Sequence, residues 1–221
     1  MAQANANVER SSWRSRRAWV ALLAVTLVGL AVDLGTKVWA FRTVAGAPVI
    51  VERETVLEVM RTQSPRAISR LIPAHEPVTV VPSVLDFVLV LNPGAVFGIG
   101  PGQRGFFLVF TVLALGGGLL LFAKGTRARD WHAHVAIGLL LSGGLGNLYD
   151  RLVFGCVRDF IHPLPGVKFP FGLKLWSSTG EVWPYVSNVA DAFLIAGIGV
   201  LMVYLWRSGH GAPAQPAAGQ P

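Results

Sequence analysis

The stretch "GGLGNLYDRLVFGCVRDFIH", residues 143 to 162, closes one of the most apolar runs in the chain, yet it sets Asn147, Asp150, Arg151, Arg158 and Asp159 within thirteen positions. A second polar set, "SNVAD", puts Asn188 and Asp191 at the head of another apolar run, while Asp33 and Lys37 interrupt the first such run and Asn92 precedes the second. Two carboxylates brought close together cannot both ionise easily, so one keeps its proton while the other stays charged. Such a pair activates water: the base takes a proton from water as it attacks a carbonyl, and the acid donates to the carbonyl oxygen. Asp159 and Asp191 are the candidates for that pair. The positive end of a helix macrodipole favours Asp191 as the base, which leaves Asp159 as the acid.

Each piece also has a purely structural reading. Asp33 and Lys37 are spaced i,i+4 with the acid first, the favourable order for a helix ion pair in which each residue lowers the cost of burying the other. Gly143, Asn147 and Asp150 share one helical stripe and, with Gly144 and Gly146, read as a small-residue packing seam held by interhelical hydrogen bonds. Asn188 reads as a helix N-cap, with Asp191 three residues on, facing the exposed backbone N–H groups. Asp159 alone falls outside any regular ion-pair spacing.

Other chemistries find little support. There is no HExxH zinc motif and no Walker-type phosphate loop, and the histidines at 75, 132, 134, 162 and 210 form no ligand pattern, so neither a metal nor a cofactor is expected. Ser142 lies in an apolar run without a neighbouring base. The single cysteine, Cys156, excludes an intramolecular disulfide and any multi-cysteine zinc site, and "LVFGC" reads as a packed thiol rather than a lipidation box.

The elements that must carry these residues follow from composition. With 52% hydrophobic and 14% charged residues and a mean hydropathy of +0.53, the 221-residue chain lies outside the balance of a soluble domain and reads as a membrane protein. The net charge of +7 sits in short basic clusters flanking apolar runs, not on a basic face with interleaved aromatics, so nucleic acid is not an expected partner. Four segments, about 18 to 40, 105 to 123, 131 to 149 and 189 to 206, are long enough or nearly so to cross a hydrocarbon core. The fold class expected is an all-α membrane protein, four transmembrane helices with short β-strands in an extracytoplasmic loop. Residues 18 to 206 form one four-helix membrane domain between a disordered cytoplasmic N-terminus (1 to 17) and a disordered cytoplasmic tail (207 to 221).

Arg10, Arg14, Arg16 and Arg17 precede the first span, and Lys124, Arg127 and Arg129 lie between the second and third; the positive-inside rule makes both flanks cytoplasmic. The connections of about 41 to 104 and 150 to 188 then face outward. In the first, "APVIVERETVLEVM" and "PVTVVPSVLDFVLVLN" suggest short strands, with a helix around 64 to 72. The second reads as an interfacial loop with Trp176, Trp183 and Tyr185 at headgroup depth. A cleaved signal peptide over the first segment is the alternative, but Asp33 and Lys37 would have no use in a disposable leader.

On this topology Asp33, Lys37, Asn92, Asn147, Asp150, Arg151, Asp159, Asn188 and Asp191 all reach one membrane face. A charge at mid-bilayer costs about 2.5 to 3.5 kcal/mol and less near the interface, so such residues usually face a bundle interior or a cavity. Their convergence implies a site.

"VDLGTK" (32 to 37), "NPGAVFG" (92 to 98), "GGLGNLYDR" (143 to 151), "VRDFI" (157 to 161) and "NVADA" (188 to 192), in this order on four spans, resemble the successive signature blocks of signal peptidase II, the lipoprotein signal peptidase family. The resemblance covers about residues 18 to 206. It implies an inner-membrane aspartic endopeptidase that cuts bacterial prolipoproteins just before a diacylglyceryl-modified cysteine, with its site at the outer leaflet, membrane lipids around it and a monomeric state. Carried over, Asp159 and Asp191 match the catalytic pair. Asn92, Gly143, Asn147, Arg151 and Asn188 match positions lining or supporting the substrate site, and Asp33, Lys37 and Asp150 match polar positions that shape it. The chain departs from the family in an insertion around 47 to 76, in Pro93 and Val96, and in a longer stretch between Asp159 and Asn188. The competing reading is a small polytopic transporter or channel that uses Asp159, Asp191 and Asp150 as a proton or cation relay, followed by a structural assembly factor. A conduction path would set ionisable residues at several depths, whereas here they gather at one.

Reporter fusions test the orientation. Fusions after residue 127 and after residue 211 should score cytoplasmic, and one near residue 60 external; an external score at 127 would overturn the placement of every site residue.

Overall fold

The computed structural model describes residues 11–94, 104–175 and 177–210. The expected disorder of the extreme ends, Trp176 and most of the "NPGAVFG" block lie outside the described residues. Within them, structure begins before residue 18: Ser12–Arg14 form a short 3-10 turn, and the Ser15 hydroxyl accepts from Ala18 N–H (3.3 Å) to cap the first long helix.

Four long helices form the scaffold: α1 (Arg16–Thr43), α3 (Arg104–Leu120, continued by a π-helical turn over Leu121–Gly125), α4 (Trp131–Val153) and α5 (Val189–His210). Helix α5 therefore runs past residue 207, where a disordered tail was expected. Three stretches, Arg16–Thr43, Gly105–Gly125 and Val189–Ser208, are long and apolar enough to cross a membrane. Helix α4, at 23 residues, is long enough but less apolar, because its length carries His132, His134, Asn147, Asp150 and Arg151. It packs against α1, α3 and α5, and its buried residues run from Ala133 to Asp150. The outer helices instead present Leu27 and Val28, Val109 and Leu113, and Ile198 and Met202 to the surroundings. Hydrocarbon is the solvent in which such exposed apolar faces carry no penalty.

A three-stranded antiparallel sheet caps one end of the bundle in the order β1 (Val78–Val81), β2 (Leu85–Asn92), β3 (Val157–Pro163). It draws on both long connections, which corrects the expectation of strands in one loop only and of an irregular second loop. The pattern of β3 hid it: Val157, Arg158, Asp159 and Phe160 are all buried, so polar residues do not alternate with apolar ones as on a half-exposed strand. A second correction concerns "RETVLEVMRT", expected as strand and found as helix α2 (Arg53–Thr62). Val56, Val59 and Met60 recur at helical spacing and pack against Phe41, Ile68 and Leu91, so burying them takes a helix. The helix expected around 64 to 72 appears as a 3-10 segment over Pro65–Leu71.

Two apolar clusters hold the ends. One, with Ala40, Phe41, Val56, Leu89, Leu91, Cys156 and Phe160, joins the sheet to the end of α1. The other, with Ala18, Leu22, Phe122, Ile137 and Leu141, lies at the opposite end. The polar residues singled out in the sequence fill the space between the first cluster and the helices.

Candidate active site

The deepest layer is a quartet of buried charges. Lys37 is fully buried, and its ammonium donates to Asp33 Oδ2 (2.9 Å) and lies 3.5 Å from Asp150 Oδ2. Asp150 in turn holds Arg158, taking its backbone N–H (3.0 Å) and its guanidinium (2.8 Å), while that guanidinium stacks over Phe154 at 4.0 Å. Two acids and two bases cancel, so the quartet takes no net charge out of water. The i,i+4 pair read as structural is thus present, and it also reaches across the bundle. Asp33 Oδ1 accepts from Ala190 N–H in the first turn of α5 (2.9 Å), and Asp150 fixes the start of β3.

Above the quartet lie the amides. Lys37 donates a second hydrogen bond to Asn147 Oδ1 (3.0 Å). An ammonium only donates, so Asn147 must turn its oxygen to Lys37, and its Nδ2 then points to Asp191 Oδ1 (2.8 Å). Asn188 Nδ2 donates to the same Asn147 oxygen (3.1 Å) and to Asp159 Oδ1 (2.6 Å). Asn188 Oδ1 accepts from Asp191 N–H, and Asp191 Oδ2 accepts from Asn188 N–H, both at 3.2 Å. This reciprocal capping arrangement satisfies the helix start as the sequence suggested, and it makes Asn188 touch both carboxylates.

The sheet supplies the rest. Asp159 pairs with Val90 and Asn92 with Val157, which makes Asn92 the diagonal neighbour of Asp159 on one face. Its Nδ2 donates to Asp159 Oδ2 at 3.1 Å. Beyond β3 the chain loops out and returns, and Ser187 exchanges backbone hydrogen bonds with Phe160 and Ile161 (2.8 to 2.9 Å), setting Asn188 beside Asp159. Asp159 therefore sits on a strand and not in a loop.

Close helix approach completes the frame. A Cβ on Gly143 would lie 2.5 Å from the Ala190 carbonyl, and one on Gly146 would collide with the Asp33 carboxylate, so only glycine lets α4 meet α1 and α5 here. Arg151 donates to the Asn147 carbonyl (3.1 Å), and its guanidinium lies 5.4 Å from the Phe107 ring of α3.

All ten sequence candidates thus gather at one end: Asp159, Asp191, Asn92, Asn147 and Asn188 in direct contact, Asp33, Lys37 and Asp150 beneath them, and Gly143 and Arg151 on the α4 side. Sequence reading left Arg158 without a role, whereas Gly146 falls in the small-residue packing seam read on the third helix. The "RD" in β3 was the available signal for Arg158, but strand alternation sends Arg158 to Asp150 and Asp159 to the amides. Among the described residues no cluster of three metal-type ligands occurs.

Both carboxylates receive donors only: Asn147 and Asn188 at Asp191, Asn188 and Asn92 at Asp159. Burial pushes the Asp159 carboxyl up to about 7, and the Asp191 carboxylate adds to the rise, while hydrogen bonds from Asn188 and Asn92 oppose it. Asp159 is thereby the member suited to hold a proton at neutral pH. The arrangement can activate one water between a proton acceptor and a proton donor.

Comparison with known proteins agrees with this geometry. A family profile described as signal peptidase (SPase) II matches residues 25–207, which include all ten positions. A lipoprotein signal peptidase of Desulfitobacterium hafniense is 33% identical over 131 residues, covering 59% of this chain and 74% of that protein. One of Halothermothrix orenii is 33% identical over 132 residues, covering 60% and 77%. In fold, the chain is similar to a bacterial membrane enzyme solved by the in meso method at 2.3 Å, with a TM-score of 0.59 and 22% identity over 89% of this chain and 93% of that one.

The raised Asp159 carboxyl makes stability pH-dependent. An acid at about 7 when folded and 3.8 when unfolded binds its proton more tightly in the folded state, so its contribution is complete below pH 3.8 and is lost as pH rises through about 7. Thermal unfolding in detergent should show a melting temperature that falls across this window, and Asp159→Asn should flatten the fall. An unchanged slope in the variant would contradict the assignment.

Proposed function

The chain belongs to the signal peptidase II family, and from that premise we propose that it is an aspartic endopeptidase that removes signal peptides from bacterial prolipoproteins, cutting just before a diacylglyceryl-modified cysteine. The observation that carries this reading is that Asn188 ties two carboxylates from separate elements, Asp159 on β3 and Asp191 on α5, into one hydrogen-bonded unit. Neither carboxylate has an ion-pair partner of its own among the described residues, whereas Asp33 and Asp150 do.

In the proposed reaction Asp191 takes a proton from water as the water oxygen attacks the scissile carbonyl carbon, and Asp159 gives its proton to the carbonyl oxygen. The tetrahedral diol collapses when Asp191 passes its proton to the amide nitrogen and Asp159 recovers one from the diol hydroxyl. The carbon–nitrogen bond breaks, and the pair returns to its starting state. Asn92, Asn147 and Asn188 hold the carboxylates in place throughout.

The setting of this reading is the bacterial inner membrane. Helix α4 is the fourth span, surrounded by α1, α3 and α5, so its polar residues face protein and not lipid. Both termini are cytoplasmic, the site lies at the outer leaflet, and the enzyme acts as a monomer on lipid-embedded substrates. Among the described residues the buried carboxylates gather at one end of the bundle and form no ladder across it, which speaks against a proton or cation relay.

Purified protein in detergent should cleave a diacylated prolipoprotein, and Asp159→Asn and Asp191→Asn should each abolish cleavage, by a factor of roughly 100 or more, because an amide serves neither as acid nor as base. Both variants should still insert and fold. Asp33→Asn should lower folded yield more than turnover. Normal turnover by either of the first two variants would remove the two-carboxylate mechanism.

A further inference from the structure

At the end of the bundle opposite the site, a groove of about 410 Å³ opens between the start of α4 and the end of α5. Its wall is apolar, formed by Gly199, Val200 and Val203, and its rim is polar, formed by His132, Tyr204 and Arg207. Arg207 lies sixteen positions beyond Asp191 on the same helix, roughly 24 Å away, so the groove shares nothing with the catalytic end. Among the described residues the Arg207 guanidinium is exposed and has neither an ion-pair nor a hydrogen-bond partner.

Three features say what occupies it. Val203 of the groove wall is exposed together with its neighbour Met202, on a stretch of α5 that acyl chains surround in a membrane protein. Gly199 has no atom within 4 Å of where its Cβ would be, so the groove wall has open space at a depth an acyl chain would reach, roughly 12 Å from Arg207 along the helix. The rim carries the positive charge of Arg207, the first turn of α4 adds the positive end of its macrodipole, and Lys124, Arg127 and Arg129 precede that turn in the chain. Among the described residues the acid at the start of α4, Asp130, is already engaged, accepting from the Tyr204 hydroxyl (2.7 Å) and from Arg127 N–H (2.8 Å).

We propose that this groove is a phospholipid site with a preference for anionic headgroups, in which the phosphate sits between Arg207 and the first turn of α4 and one acyl chain lies along Val203, Val200 and Gly199. Guanidinium groups recognise phosphate through paired N–H donors, and basic pockets between membrane helices hold headgroups in this way. A soluble anion would leave the apolar wall uncovered, and a neutral lipid would leave Arg207 without a partner.

Native mass spectrometry of the full chain, released from detergent containing phosphatidylglycerol or phosphatidylcholine of matched acyl chains, tests this. One phosphatidylglycerol per chain should survive release, retained about tenfold better than phosphatidylcholine, the ratio expected for one charge-assisted contact. Gly199→Leu fills open space and so should lose lipid retention while its melting temperature stays near that of the parent. Arg207→Gln should keep lipid but lose the headgroup preference. Equal retention of the two lipids by the parent chain, or undiminished retention by folded Gly199→Leu, would overturn the proposal. Prolipoprotein cleavage, read separately, reports on the proposed peptidase and not on this groove.

Discussion

The Lys37 ammonium is the interaction on which the rest of the site depends. It is fully buried, so its charge needs acceptors from the protein, and these come from different parts of the chain: Asp33 on α1, Asn147 and Asp150 on α4. Satisfying one charge therefore sets the distance between two helices. Because an ammonium offers donors alone, it also decides which way the Asn147 amide faces, and through Asn147 it decides that Asp191 is met by a donor. Without Lys37, Asp33 and Asp150 would be left with a single guanidinium between them, and removing one partner from a buried charge pair typically costs about 3 to 5 kcal/mol.

The same contacts hold the fold and prepare the chemistry. Asn188 and Asp191 close the start of α5 as a helix cap would, yet the side chain that caps also reaches Asp159. Asp150 and Arg158 dock β3 onto the end of α4, and because side chains alternate along a strand, docking Arg158 on one face turns Asp159 to the other. Glycines at 143 and 146 serve the site by being small, since any side chain there would separate the helices whose ends carry the polar groups. Lipid-facing surfaces contribute none of this: they need only be apolar, and they are.

Much of the architecture was legible because the bilayer imposes a strong pattern. Long apolar runs bounded by arginines mark the helices, and the polar residues within them stand out because burying each one is costly. The helix cap at Asn188 and the Asp33–Lys37 pair could be read from spacing alone, since both are local. Apart from helix α2, what escaped was non-local. The strand β3 carries charge on both faces because both faces are covered, by the amides on one side and by Asp150 on the other, and nothing in the order of residues announces that. Helix α2 was mistaken for strand because its valines suggested β-propensity, whereas the spacing of Val56, Val59 and Met60 held the better signal. Asp159 could be named but not placed, because its position comes from pairing with β2 and from the return of the chain at Ser187.

In the proposed mechanism Asp159 and Asp191, each met by side-chain and backbone donors, share one proton, with Asp159 as its holder. Residue-resolved titration measures this directly: the side-chain carboxyl carbon of Asp159, labelled with carbon-13 in the full chain and assigned by difference against Asp159→Asn, is followed across pH. A transition near pH 7 is expected for Asp159. A transition in the ordinary aspartate range, about pH 4, would contradict it.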